Sequence, residues 1–347
     1  MNLTHSNVTL ANGSQYVNEL GTCWESDSLI YFNYGGMGVL NTLIALFGIP
    51  ANTFICYVVI TTRLWSSNNF VFIFWLAVSD LLTCVVCIPI EAVSFYTYDW
   101  EIYMLPPIGV VFQNAIWYFC AAWTLYILFV MTLDRFLAVR CPLKHLKITK
   151  KWINIALVWT FIHSVGIFVF SFEMQEYPEA GVYDFIMPAW AEIVILLLLL
   201  LPLFANLAMY IYIFKIVQNR RKDRSKRLRE SDAKRKFSFR KRVAINRLYI
   251  YMMLFVIIIW LPFSVYQIYL LIDTDLFGTC IGESVDSLLS TIIHLNIVGN
   301  AFIYGLSDVT FRRYFKKMFK CFWKGNSNQE STYTSDSKIS VIELHNI

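Results

Sequence analysis

Seven long apolar stretches constrain this 347-residue chain more than any other feature. They run roughly over Tyr34–Thr61, Asn69–Phe95, Pro107–Val139, Trp152–Phe172, Phe185–Val217, Val243–Leu271 and Ser284–Leu306. A helix needs about 20 mostly apolar residues to cross the hydrocarbon core of a bilayer, and each stretch reaches that length. A soluble fold has no place for so much apolar side chain. Hydrophobic residues make up 57% of the chain and charged residues 15%, against about 25% charged in soluble domains. The same composition excludes disorder, collagen and coiled coil. The runs lack the ten-residue alternation of a membrane β-barrel. The expected fold class is an all-α membrane protein, a seven-transmembrane helix bundle. No internal repeat is visible, which weighs against a transporter built from inverted repeats. Eight cysteines in a chain of this length do not make a disulfide scaffold.

Charge sets the orientation. All 29 Lys and Arg fall on one side of the spans: Arg63, Arg135 to Lys151, Lys215 to Arg247, and Arg312 to Lys338. The amino-terminal tail and the other three loops carry none. The positive-inside rule places the amino terminus outside and the carboxy terminus in the cytoplasm. Residues 1–33 are polar and lack a basic n-region, so no cleavable signal peptide is read there and the first span is expected to start insertion. Asn2, Asn7 and Asn12 each open an N-x-S/T sequon. Single matches arise by chance, but three on the outer side predict glycosylation. The expected organisation is an extracellular glycosylated tail (1–33), a membrane domain (34–306) and a cytoplasmic tail (307–347).

Short motifs then follow one another in a fixed order. The third span ends in Asp134-Arg135-Phe136-Leu137-Ala138-Val139-Arg140-Cys141-Pro142-Leu143. The first holds Gly48-Ile49-Pro50-Ala51-Asn52, the second Leu76-Ala77-Val78-Ser79-Asp80 and the fourth Trp159. Pro202 and Tyr210 lie in the fifth, Trp260-Leu261-Pro262 in the sixth, and Asn300-Ala301-Phe302-Ile303-Tyr304 in the seventh, before Phe311-Arg312. Over residues 48–312 this set resembles the signatures of rhodopsin-like (class A) G-protein-coupled receptors. The resemblance implies a plasma-membrane receptor with a short amphipathic eighth helix beginning at Phe311. It also implies coupling of an extracellular ligand to heterotrimeric G proteins. An enzyme is not expected: inside the spans the sequence shows no nucleophile–base set and no metal-ligand cluster. Nothing points to a nucleic-acid partner.

Ionisable groups inside a membrane are costly and need a reason. The spans hold Asp80, His163 and His294, with Asp134 and Arg135 at the inner rim and Glu91 and Glu192 toward the outer ends. The resemblance assigns G-protein coupling to Asp134, Arg135, Phe136, Tyr210 and Tyr304. Asp134 neutralises Arg135 at rest, and the two tyrosines hold it once freed; the bland alternative is an arginine snorkelling at a helix end. The resemblance also gives Asp80 an allosteric sodium ion, shared with Thr124, Asn296 and Asn300 beneath Trp260. Oxygen donors suit such a hard cation. The alternative is a protonated Asp80 bonded to Asn52 and Asn300, since a buried bare carboxylate is intolerable. No other cofactor is expected. Pro50, Pro89, Pro202 and Pro262 each remove a ladder hydrogen bond and bend a helix. Trp260, Pro262 and Pro202 form the implied activation switch, with Pro262 the hinge of the sixth helix.

The sequence departs from that family pattern in places. Most relatives join the third helix to the second outer loop by a disulfide. Here Val110 occupies the helix position and residues 173–184 hold no Cys, so that bridge cannot form. Cys23 and Cys280 are the outer cysteines; an oxidising compartment lets them pair, or they stay free thiols. Phe136 replaces Tyr, Ala301 replaces Pro and Val256 replaces Phe. Arg242 stands where some relatives carry an acid that locks Arg135. Like charges repel there, so basal signalling is expected. The third inner loop, Gln218–Arg247, holds 14 Lys and Arg against three acids and suits anionic lipid or the G protein. Cys321 is a palmitoylation candidate. The Ser/Thr-rich tail from Gly325 suits phosphorylation, with receptor kinase and arrestin as implied partners.

The outer half carries 15 acidic residues and no Lys or Arg. Acids contribute little to the positive-inside rule, so their excess is a separate signal, a field that concentrates cations. Trp117 stands where amine receptors carry an ammonium-binding acid, and Val194 and Leu198 where catechols need serines. A monoamine is therefore disfavoured. The resemblance places the ligand cavity at Glu91, Gln113, Trp117, Glu192, Phe263, Tyr266, Gln267, Ser290 and His294. Aromatic rings with two acids suit an arginine or protonated amine. Bundle packing explains Trp117 and Phe263 equally well. No Lys occurs in the seventh helix, so a retinal Schiff base is rejected. His294 either bonds a ligand, tunes the response with pH, or is a satisfied core residue. A cationic (neuro)peptide is the leading ligand. A lipid or other small non-peptide ligand comes second, and a transporter or channel last.

Overall fold

The computed structural model describes residues 28–64, 67–97, 107–145, 147–175, 187–227, 233–272, 280–307 and 311–317. Among these, seven helices are long and apolar enough to cross a membrane. They are Tyr34–Thr61, Asn68–Tyr96, Ile108–Arg140, Lys150–Met174, Trp190–Asn219, Tyr251–Ile272 and Ser284–Gly305, numbered spans 1 to 7. Helix is the form a bilayer imposes, because every backbone N–H and C=O must find its partner within the segment. The helices of spans 1, 5 and 6 run on past the apolar cores, as Ser28–Thr61, Ala189–Arg227 and Ala233–Ile272.

Span 3 is the central post. Burial covers 67% of its apolar window, against 28% for span 4, so span 4 is the peripheral helix. Leu125, Ile127, Leu128 and Met131 of span 3 are fully enclosed, whereas Ile155, Val158, Trp159 and Ile162 of span 4 face outward. His163 is packed between aromatic rings. Its imidazole stacks on Trp159 at 5.3 Å and meets Tyr126 edge-on at 4.5 Å. Gly48 of span 1 permits a close approach to two neighbours. A Cβ there would lie 2.6 Å from Cys84 Sγ of span 2 and 3.1 Å from Ile297 Cγ2 of span 7.

Pro50, Pro202 and Pro262 sit inside continuous helices. Two spans break α geometry instead. Span 2 is α over Asn68–Leu82, π over Thr83–Cys87 and α again over Ile88–Thr97. The Ile88 N–H bonds Thr83 O, a rung one residue longer than in an α-helix. Pro89 has no N–H to offer residue 85, and the wider turn just before it absorbs the lost rung. Span 7 is interrupted at His294, between Cys280–Ile293 and Leu295–Ser307. There the His294 N–H donates to Thr291 O and the Ile297 N–H to His294 O, both at 3.1 Å and three residues apart. Of the stretch expected to begin an eighth helix at Phe311, residues 311–317 are described and are helical. Phe311 is fully buried in it, its ring 6.0 Å from Phe70 and 6.3 Å from Tyr304.

Asn2, Asn7, Asn12, Cys23 and Cys321 lie outside the described residues, as do the side chains of Cys280 and Arg242.

Candidate functional site

Polar side chains gather at three levels of the bundle. At the level of Asp134, Arg135 Nη2 donates to Asp134 Oδ2 at 2.6 Å and to Asn69 Oδ1 at the start of span 2. Asp134 Oδ1 lies 2.9 Å from His145 Nε2, at the end of the short helix Pro142–His145. Asp134 thus faces two basic groups, and Arg135 is held by acceptors from two spans. Phe136 packs on Tyr212 at 5.3 Å. Tyr210 and Tyr304 are buried in spans 5 and 7. The Asp134–Arg135 pair could be read from adjacency alone. Asn69 and His145 could not, because their contact depends on how span 2 and the inter-span turn pack.

At mid-bundle a cavity of about 30 Å³ is lined by Asp80, Thr124, Asn296 and Trp260, together with Trp117, Cys120 and His294. Each water needs at least about 10–15 Å³ of such space, so the volume suits an ion with little accompanying water. Asn300 Nδ2 donates to Asp80 Oδ2 at 3.3 Å, and Thr124 Oγ1 lies 3.1 Å from Ser79 Oγ. Asp80 Oδ1, Asn296 Oδ1 and Asn300 Oδ1 are buried acceptors without a hydrogen-bond partner among the described residues. Buried oxygens in that condition are costly unless something satisfies them. Two amide oxygens and one carboxylate oxygen are the kind of donors that a hard cation takes. The alternative pairing of Asp80 with Asn52 takes a different form: Asn52 Nδ2 donates to Gly48 O at 3.0 Å and to Ile297 O at 3.4 Å.

The third level holds the residues expected around a ligand. Trp117 forms a ring cluster with Tyr118, Phe263 and Trp260, at 5.3, 5.5 and 6.5 Å. The cluster reaches from this level to the mid-bundle cavity, which Trp117 and Trp260 also line. Tyr266 donates its hydroxyl proton to Gly282 O at 2.7 Å, and Gln267 Nε2 donates to Asp286 Oδ1 at 2.5 Å. Both bonds tie span 6 to span 7. Gln113 Oε1 accepts from Ser94 Oγ at 2.7 Å. Glu192 is half-buried, within electrostatic reach of Tyr118 and Asp286. Ser290 is half-buried in span 7.

Glu91 and His294 are fully inside the bundle and meet each other. His294 Nδ1 lies 3.3 Å from Glu91 Oε2 and 3.3 Å from Asn41 Oδ1. Asn41 Nδ2 donates to Glu91 Oε2 at 3.3 Å, and the Cys87 thiol reaches Glu91 Oε1 at 3.9 Å. His294 is therefore satisfied by its neighbours, in line with the core reading. The sequence alone shows no metal-ligand set inside the spans; the structure brings one group of candidate donors together. Cys87, Glu91 and His294 converge within 4.8 Å of one another. Two of them are one turn apart on span 2, but the third comes from across the bundle, so sequence spacing could not reveal the set. Asn41, Cys87 and Asp286 are the side chains that the expected ligand set omitted.

Residues 51–304 match the family described as 7 transmembrane receptor (rhodopsin family). The histamine H2 receptor of Rattus norvegicus is 26% identical over 314 residues, covering 86% of this chain and 83% of that one. A QRFP-like peptide receptor of Branchiostoma floridae is 24% identical over 332 residues, 88% of this chain and 80% of its own. An RYamide receptor of Tribolium castaneum is 32% identical over 120 residues, 34% of this chain and 30% of its own.

Proposed function

The chain belongs to the rhodopsin family of seven-transmembrane receptors, and from that premise we propose that it transduces binding of a cationic peptide, outside the cell, to heterotrimeric G proteins. That it is a G-protein-coupled receptor, a multi-pass membrane protein and not an enzyme follows from the family itself. The ligand class rests on one observation. Trp117 packs on Phe263 at 5.5 Å, and one turn further along span 6 Gln267 holds the Asp286 carboxylate of span 7, in a half of the chain that contains no Lys or Arg. A guanidinium or ammonium entering there meets carboxylates and aromatic faces together. Two of the similar receptors carry peptide names. A small protonated amine is the second reading, favoured by the match to a histamine receptor over most of the chain.

The route inward follows the packing. A ligand that displaces Trp117 moves Trp260, whose ring it touches, above Pro262 of span 6. A sodium ion held by Asp80, Thr124, Asn296 and Asn300 would supply positive charge that favours the resting arrangement. At rest, Asp134 and Asn69 occupy Arg135. Release of those bonds, with Tyr210 and Tyr304 supporting the freed guanidinium and Phe136 beside it, exposes the coupling surface. Positive-inside charge supports a plasma-membrane receptor with a glycosylated outer tail. A palmitoylated Cys321 and phosphorylation-dependent arrestin binding belong to the same reading.

The test is G-protein dissociation in cells expressing this chain or Arg135→Ala, challenged separately with cationic amidated peptides, histamine and lipid pools. A peptide response that Arg135→Ala abolishes supports the proposal. A response confined to histamine or to lipid, at verified surface expression, refutes the peptide assignment and leaves the receptor intact.

A further inference from the structure

Where span 2 faces span 7, three unlike donors point at one spot. Cys87 Sγ, a Glu91 carboxylate oxygen and His294 Nδ1 all lie within 4.8 Å of one another, and all three residues are buried. Tetrahedral zinc has bonds of about 2.3 Å to sulfur and about 2.0–2.2 Å to nitrogen and oxygen, which sets its ligand atoms roughly 3.4–3.6 Å apart. Here His294 Nδ1 lies 3.3 Å from Glu91 Oε2 and Cys87 Sγ lies 3.9 Å from Glu91 Oε1, so each neighbour faces its own carboxylate oxygen and small side-chain shifts bring one oxygen between them. Asn41 Oδ1, 3.3 Å from the same imidazole nitrogen, adds a fourth donor at a matching distance.

The backbone concentrates its irregularities on this spot. Cys87 closes the π segment of span 2, and His294 is the residue at which span 7 breaks. Such π turns are frequent at functional sites. His294 also lines the mid-bundle cavity, so one of the donors borders open space. Asp80 lines the same cavity with oxygen alone.

Donor chemistry separates the two ends of the cavity. An all-oxygen set suits sodium, magnesium or calcium, whereas a mixture of sulfur, nitrogen and oxygen selects a borderline divalent metal. Charge agrees. One thiolate, one carboxylate and a neutral imidazole balance a dication, so the filled site is neutral inside the low-dielectric bundle, where an uncompensated charge is costly.

We propose that Cys87, Glu91 and His294, with Asn41, form a zinc(II) site that ties spans 1 and 2 to span 7. Binding releases the thiol proton, and any proton held on the carboxyl or imidazole, to solvent, and involves no change of oxidation state. Because zinc bridges three spans, it favours whichever receptor conformation keeps them together.

Full-length receptor, purified in lipid nanodiscs and stripped of metal, would be titrated with cobalt(II) and then with zinc(II). The expected result is one cobalt per receptor with a tetrahedral visible spectrum and a thiolate-to-cobalt charge-transfer band, erased by zinc. Cys87→Ser should lose the charge-transfer band, Cys84→Ser should keep it, and His294→Gln should lose at least about tenfold in affinity. Zinc-edge X-ray absorption of the unmutated receptor needs no variant to fold. One sulfur among nitrogen and oxygen neighbours supports the site. A shell without sulfur, or a charge-transfer band that survives in Cys87→Ser, overturns it. These readouts are independent of ligand and G protein, so failure here leaves the receptor reading untouched.

Discussion

Arg135 shows at the scale of one residue how a resting state is held. It donates to Asp134 within its own helix and to Asn69 across to span 2. Asn69→Ala removes the cross-helix acceptor and leaves the local ion pair. A hydrogen bond to a buried charged group is worth about 1.5–3 kcal/mol, and solvent screening at this partly exposed site brings it down to about 1 kcal/mol, or about fivefold in a conformational equilibrium. Basal G-protein dissociation per surface receptor should rise by about that factor. No rise would mean that Asn69 merely packs. Asp80→Asn carries a second residue-scale expectation. With sodium chloride replaced by N-methylglucamine chloride at equal ionic strength, agonist affinity should change for the parent receptor and not for the variant. A variant that keeps the sodium response would remove Asp80 from the site. These residues were legible unequally. Asp134 and Arg135 are neighbours in sequence, and Asp80 with Asn300, though 220 residues apart, sit in motifs with a known order. Asn69, His145 and Asn41 carry no local pattern, so only the packing of the spans reveals what they touch.

At the scale of elements, length and apolarity were enough to find all seven helices, because the bilayer allows little else; the ends of spans 5 and 6 were the least legible, since their helices continue into polar sequence, to Arg227 and from Ala233. The irregular turns were not legible in the same way. Pro89 announces a distortion but not that the turn before it widens into π geometry. The break at His294 contains neither proline nor glycine; Ile293 and Leu295 flank it. Close helix approach is a further element property, and the glycines report it. Gly48→Ala places a Cβ 2.6 Å from Cys84 Sγ, whereas a Cβ on Gly166 meets nothing within 4 Å. Overpacking costs about 1–3 kcal/mol, while alanine gains up to about 1 kcal/mol over glycine in a helix interior. Gly166→Ala should therefore melt at or above the parent temperature and Gly48→Ala below it, in a thermal scan of nanodisc-embedded receptor. Equal midpoints would show that spans 1 and 2 have slack at this crossing.

The whole molecule is a charge gradient, and that was legible because net charge is additive and needs no contacts. All 29 Lys and Arg fall in the segments read as inner, while 15 acids and no Lys or Arg fall in those read as outer. Glu91 and Glu192 were named from the resemblance as acids of the bundle, but their partners were not legible: Glu91 meets His294 and Asn41, and Asp286, which the expected set omitted, is held by Gln267. A cationic peptide would feel the gradient before it makes contact. Raising ionic strength from about 0.01 M to about 0.15 M shortens the screening length from about 30 Å to about 8 Å, and steering of this kind accelerates association by about 10–10³-fold. Its association rate should fall by about tenfold or more over that range, with the dissociation rate nearly constant. Choline chloride should be the salt, since sodium would act separately through Asp80. Glu192→Gln combined with Asp286→Asn should flatten the dependence and weaken the peptide. A neutral or lipid ligand would show neither effect, because its encounter does not depend on the field. An association rate that is flat in salt, for a peptide that nonetheless activates, would mean that the acidic face is ordinary solvated surface and that the rings of Trp117 and Phe263 supply the recognition.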